Sequence, residues 1–210
     1  MTSRVLAVLS LAVSAGVLVA ALALLGESPG GPPEAAHLRR MKERDTAPRV
    51  TPPVTIADML ALPHGLPLDG RTRLESRGVS LEGWNQRMMP AGDGDVHLEI
   101  APAPRFPESP DTVYVTAEVT PRWRLGAPGW SYERLVEAFR PNRGGATRWD
   151  AGPRRVRVSG WLLYDYQYDR RNSSWALAHA PVRSTGWEIH PVTRIEIWDD
   201  ARAAWAEVAR

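Results

Sequence analysis

Val96-His97-Leu98-Glu99-Ile100 alternates an apolar with a polar side chain at every step, the period of a half-buried β-strand. The same period recurs on both sides of it. Upstream, a first run opens at Gly78, with Val79, Leu81 and Gly83 on one face and Glu82 and Trp84 on the other. Pro90-Ala91-Gly92-Asp93-Gly94 supplies the turn between the two runs. Downstream of a proline-rich loop from Pro102 to Pro110, Val113, Val115, Ala117 and Val119 alternate with Tyr114, Thr116 and Glu118. The period then changes. Ser131 caps a helix carrying Tyr132, Leu135, Val136 and Phe139 on one face, which Pro141 and Gly144-Gly145 stop by Arg140. A fourth strand runs from Arg154 to Tyr164 and a fifth from Gly186 to Trp198, and Ala201 to Val208 reads as a short helix. Parity places Trp187 in the core with Ile189, Ile195 and Ile197, and Trp161 outside it with Arg157 and Ser159.

Three strands, one helix and two strands make a mainly β chain, and five short strands in this order suggest a small Greek-key barrel of the OB type, with one helix between strands 3 and 4. Val156-Arg157-Val158-Ser159-Gly160-Trp161-Leu162-Leu163-Tyr164-Asp165, with Trp187-Glu188-Ile189-His190-Pro191-Val192-Thr193, resembles a bacterial exported family with an OB-like barrel. Its "VTGWLLFD" strand precedes a "WEIHPVT" strand. Asp95-Val96-His97-Leu98-Glu99-Ile100 and Ala117-Glu118-Val119-Thr120-Pro121-Arg122 are similar to two further strands of that family. The resemblance spans roughly residues 78 to 198 and implies the fold and an exported location, but no activity. Some relatives carry a cysteine-bearing first loop, where this chain has a short Asp/Gly turn.

Val5 to Leu25 is an uncharged, largely apolar run of twenty-one residues, long enough for a helix to span a bilayer. It reads as an uncleaved signal anchor, residues 1–26, with the amino terminus inside and the rest of the chain extracytoplasmic. Cleavage after Ala21-Leu22-Ala23 is the competing reading and would give a secreted protein. Residues 27–53 read as a Pro/Gly-rich linker. Its only helical stretch, Glu34 to Asp45, lacks an apolar stripe and is expected to pack poorly. Residues 54–77 form a lead-in whose short helix is capped by Thr55 with Asp58 at N3. The barrel then occupies 78–200 and a helical tail 201–210.

The composition excludes several chemistries. With no cysteine there is no disulfide, thiolate metal site or lipid-modified cysteine. A net charge of +2 is too small to imply an anionic partner. No G-x-S-x-G elbow is present, and no cofactor motif or catalytic residue stands out. Two constellations remain. His97-x-Glu99 and Glu188-x-His190 each place an imidazole and a carboxylate on one strand face, a donor set that suits zinc or manganese. Parity puts all four outside the barrel, where the preferred reading has Glu99 and Glu188 as ordinary solvated residues and His190 as a partly buried hydrogen-bonding residue whose strand Pro191 bends. The loop between the last two strands carries Tyr166, Tyr168, Arg170, Arg171, Trp175, His179 and Arg183, rings and guanidinium groups suited to a ligand. The outward Glu99 and Glu118 argue against nucleic acid. Asp93 and Asp95 could hold calcium, but they are equally hairpin-turn chemistry.

The expectation is a membrane-anchored, extracytoplasmic, non-enzymatic OB-like module that binds a protein or small ligand through its loops, without a cofactor. The alternatives are a metal-dependent hydrolase using His97, Glu99, Glu188 and His190, and a purely structural cell-envelope assembly protein.

Overall fold

The alternating runs close on themselves. The computed structural model of the chain describes residues 32–104, 113–139, 153–169 and 183–210. After a two-residue strand β1 (Pro53–Val54), the strands are β2 (Gly78–Pro90), β3 (Val96–Ala101), β4 (Val115–Val119), β5 (Arg154–Tyr164), β6 (Trp187–Asp199) and β7 (Ala204–Glu207). The long β2 serves two neighbours. Its first half pairs antiparallel with β5, from Gly78 opposite Trp161 to Asn85 opposite Arg154. Its second half pairs with β3, and a register shift between Asn85 and Arg87 redirects the strand between them. β3 pairs antiparallel with β4, β4 runs parallel to β6 with Ala117 opposite Ile189, and β6 returns antiparallel to β5. The result is a closed five-stranded barrel in the order β2-β3-β4-β6-β5, consistent with an OB-like barrel. β1 adds to β2 in parallel and β7 forms a hairpin with β6.

Side chains of one parity fill the interior, as the period requires. Val79, Leu81, Leu98, Ile100, Ala117, Val158, Ile189 and Ile195 are all buried in one core cluster. Trp187 is among the largest fully buried side chains. Its indole N–H donates to the Pro63 carbonyl at 2.8 Å, and its ring centroid lies 5.0 Å from that of Tyr164. Gly160 allows β5 and β6 to approach closely, since a Cβ there would meet the Pro191 carbonyl oxygen at 2.2 Å.

The Tyr132–Phe139 helix lies between β4 and β5, with Leu135, Val136 and Phe139 buried and Ser131 Oγ accepting from the Arg134 N–H. It is not the only helix. Pro121–Arg124 and a 3₁₀ turn at Pro128–Trp130 share that interval, and Leu68–Glu75 precedes β2. The Ile56–Leu60 helix has the Thr55/Asp58 capping box.

Two expectations are corrected. The tail is a strand, not a helix. Trp205 pairs with Trp198 across the hairpin at 5.3 Å, the Arg155 and Arg157 guanidinium groups lie over the Trp205 ring, and Arg194 pairs with Glu207. These contacts override the helical preference of an alanine-rich stretch. The Pro32–Lys42 helix, expected to pack poorly, is docked through charge on the Leu68–Glu75 helix and on the end of β5. Arg71 pairs with Glu34, His37 Nε2 lies 2.6 Å from Glu75 Oε2, and Lys42 Nζ lies 2.9 Å from Asp165 Oδ2, with Leu38 buried beside them. Trp161, outside the core as expected, is covered by the segment that follows this helix. It donates to the Thr46 carbonyl at 2.7 Å beneath the Arg44 guanidinium.

No helix among the described residues is long and apolar enough to cross a membrane. The Val5–Leu25 segment lies outside them, as do Arg170, Arg171, Trp175 and His179.

Trp187→Ala is expected to cost about 3–5 kcal/mol, the range for a buried large aromatic. Chemical denaturation reads this as a lower midpoint, and a midpoint equal to wild type would contradict the core assignment.

Candidate functional site

On the outward face of β3, β4 and β6, period two places His97 and Glu99, Thr116 and Glu118, and Glu188 and His190. This face is not solvated. The expectation that Glu99 and Glu188 are solvated is corrected, since both are buried, as is His97, and His190, expected to be partly buried, is at 0 % exposure. The Pro32–Lys42 helix, the first helix of the described residues, and the Tyr166–Tyr168 turn return over this part of the barrel, bringing Lys42 and Asp165 to it.

Glu118 is the hub of this layer. Its Oε1 accepts from Arg183 at 2.7 Å and lies 3.3 Å from His97 Nε2, and its Oε2 lies 2.9 Å from His190 Nδ1. Arg183 also donates to Glu188 Oε2 at 2.7 Å, and Glu188 Oε1 sits 3.0 Å from the same His190 Nδ1. The Tyr168 ring stacks on the Arg183 guanidinium at 3.8 Å. Arg183 is therefore committed to the buried network, whereas sequence reading offered it to a ligand.

The suggested metal quartet is not brought together. β4 separates β3 from β6, and Glu118 occupies the space between His97 and His190. Glu99 accepts from the Thr116 hydroxyl instead, facing Arg87 across β2 in register. What does converge is Asp95, Glu118 and His190, whose candidate ligand atoms lie within 4.8 Å of one another. Asp95 comes from the β2–β3 connection, just before β3, and was read as turn chemistry, and Glu118 was read as a surface acid. Cross-strand register was the available signal for Glu118, because it sits directly opposite His97.

The charges in this layer interact strongly. Burial penalises the His190 imidazolium, but the Glu118 and Glu188 carboxylates outweigh that penalty and push it up to about 10. Burial raises the Asp95 carboxyl to about 7, with His190 opposing and the Glu118 and Asp93 charges reinforcing the rise. Burial would also raise Glu118, yet His190, Arg183 and His97 hold it well below the ordinary carboxylate range. Glu188 is raised by burial and by Glu118, with Arg183 opposing. For Lys42, burial is outweighed by Glu188, Asp165 and Glu118, so the ammonium stays charged.

One edge of the layer opens into a recess of about 630 Å³ between the first helix and the barrel. Asp93 and Asp95 from the β2–β3 connection, Tyr166 and Gln167 after β5, Leu38 and Lys42 from the helix, and His190 from β6 all line it. His190 Nε2 is buried without a hydrogen-bond partner and faces Asp95 Oδ2 at 3.6 Å. A larger groove of about 930 Å³ lies by β1, lined by Ser80, Ser159 and the Arg157–Glu196 pair. It has no comparable unpartnered group. Neither a known protein family nor a curated protein sequence matches the chain.

Arg183→Ala leaves Glu118 and Glu188 buried without their shared cation and is expected to cost about 3–5 kcal/mol, measured by denaturant unfolding. The pH dependence of stability follows from the shifts. Asp95, raised from about 3.9 to about 7, lowers stability as pH rises through that window, because only the unfolded state gives up the proton freely. His190, raised from about 6.5 to about 10, contributes stability that is complete below 6.5 and lost towards 10. Glu118, depressed, contributes stability that is lost as pH falls below the ordinary carboxylate range. The thermal midpoint should therefore peak in mildly acidic buffer, and Asp95→Asn should flatten the fall between pH 4 and 7. A wild-type midpoint that climbs across that interval would refute the assignment.

Proposed function

We propose that this chain is an OB-like binding module rather than an enzyme, taking a small polar ligand in the recess between the first helix and the barrel. The observation that carries the reading is His190 Nε2, fully buried, unpartnered, and set beside the Asp95 carboxylate at the recess. Leaving such a group unpaired costs roughly 1–3 kcal/mol, a cost that a bound partner removes. The recess volume falls within the range of about 300–1,000 Å³ usual for small-molecule pockets. Its walls come from the connection between the first two barrel strands and from the segment after the fourth, the loops through which OB-folds meet ligands. Tyr166, offered as a ligand contact by the sequence, lies on this wall, while Tyr168 is stacked on Arg183.

The non-enzymatic reading rests on the same imidazole. Pinned between Glu118 and Glu188 and raised to about 10, His190 yields its proton at neutral pH only to a cation that replaces it and makes a poor general base. The uncharged Val5–Leu25 run supports anchorage in a membrane, with the barrel on the extracytoplasmic side and an envelope protein or a small molecule as partner. The buried acids Glu99 and Glu118 on the β3–β4 face speak against nucleic acid.

The full chain in detergent micelles, screened by thermal shift against inorganic phosphate, citrate, glycine and N-acetylglucosamine, should be stabilised by at least one of these probes. Gln167→Ala and Asp95→Asn should abolish that rise. No stabilisation by any probe, together with crosslinking in native membranes to an envelope protein alone, would favour a structural assembly role. Release of the chain from membranes by alkaline carbonate would refute the anchor.

A further inference from the structure

We propose that the recess holds a divalent transition-metal cation, zinc being the first candidate, on Asp95, His190 and Glu118. The inference rests on the reading of the recess as a binding site and names what binds there. It differs from the quartet suggested by sequence, of which only His190 belongs to the set.

Three features of the layer support it. The first is geometric. His190 Nε2 and Asp95 Oδ2 are 3.6 Å apart, and an ion bonded to both at about 2.1 Å would subtend an angle of about 118°, close to the tetrahedral value zinc adopts. Glu118 offers the third donor, with a ligand atom within 4.8 Å of both partners and its Oε2 buried without a hydrogen-bond partner. A fourth position would face the recess and take water or the small ligand of the binding module.

The second feature is the support behind the imidazole. A metal-bound histidine almost always donates its other ring N–H to a carboxylate, which fixes the ring and makes the ligating nitrogen more basic. His190 Nδ1 has such a carboxylate in Glu188 Oε1 at 3.0 Å, which leaves Glu118 Oε2 to the ion. The nitrogen left to the ion is thereby Nε2, turned towards Asp95 and without a hydrogen-bond partner. The cation takes the place of the Nε2 proton, which leaves to solvent.

The third is charge. Asp95, Glu118, Asp165 and Glu188 are buried, and the permanent cations paired with this group are Lys42 and Arg183. Once His190 is neutral, as a ligand must be, two negative charges remain. One divalent ion balances them. Burying carboxylates close together without such a counter-charge is costly.

The full chain in detergent, first stripped with a chelator, is titrated with zinc by calorimetry and with cobalt(II) by visible absorption. The expected result is one ion per chain and the intense visible bands of a tetrahedral cobalt site, with magnesium unable to compete. Asp95→Asn should weaken zinc binding at least about tenfold and Glu188→Gln by about 10–100-fold, the usual effect of losing a carboxylate behind a ligating imidazole. Since His190→Gln alters a fully buried position, Asp95→Asn at the recess is the deciding variant, with circular dichroism confirming its fold. Absence of stoichiometric uptake, or uptake unchanged in Asp95→Asn, overturns the proposal. Organic-probe stabilisation that depends on Asp95 without zinc uptake removes the cation and keeps the recess as a binding site. Loss of both removes both readings.

Discussion

A carboxylate buried on the outside of a barrel has to be compensated, and Glu118 shows how this chain does it. Its strand presents it away from the apolar interior, so water would ordinarily solvate it. Instead Arg183, His97 and His190 surround it, and their contacts bind β3, β4 and β6 together from the outer side. The apolar cluster within the barrel and this polar layer outside it thus hold the same three strands from opposite faces. The layer exists only because the first helix and the Tyr166–Tyr168 turn exclude solvent from it. Those segments are in turn secured by the ion pairs they bring, Lys42 to Asp165 and Arg71 to Glu34. The arrangement is mutual, since each part keeps the next in a medium of low dielectric where its charges interact strongly.

That mutual dependence explains which parts of the structure could be read in advance. The barrel strands were legible because Val79, Leu98, Ala117 and Ile189 repeat with period two and must enter one core. Trp187 was legible for the same reason. The burial of His190 was not. Alternation identifies two faces but says nothing about which distant segment will cover the second one. The first helix carries no apolar stripe, so the usual amphipathic signal was absent although it docks through Glu34, His37 and Lys42. The C-terminal strand was misread because the Trp198–Trp205 pairing that decides it joins residues whose proximity only the hairpin creates. The donor set failed on the same ground. His97 and Glu99 were linked by their spacing along one strand, whereas the real neighbour of His97 is Glu118 across the ladder.

The two sides of the barrel also divide the work. On the β2–β5–β6 side, the exposed Arg194–Glu207 pair, with Arg155 and Arg157 over the tryptophan rings, stitches β7 to the sheet. Such contacts are individually weak and tolerant of change. On the β3–β4–β6 side the charges are buried and mutually dependent, so a single loss propagates. A surface that binds something specific is more easily built on the second kind of layer, where side chains cannot swing away from their places.

The docked Pro32–Lys42 helix also sets a limit on reach. With Pro32 already part of that helix, residues 26–31 are all that separate it from Leu25. Six residues drawn out fully extend about 20 Å. In the proposed anchored arrangement the barrel is then on a short leash, free to turn at the bilayer surface but not to roam from it. In that arrangement whatever it meets would have to come to the membrane, and the helix that roofs the recess would be the element that takes up any pull from the anchor.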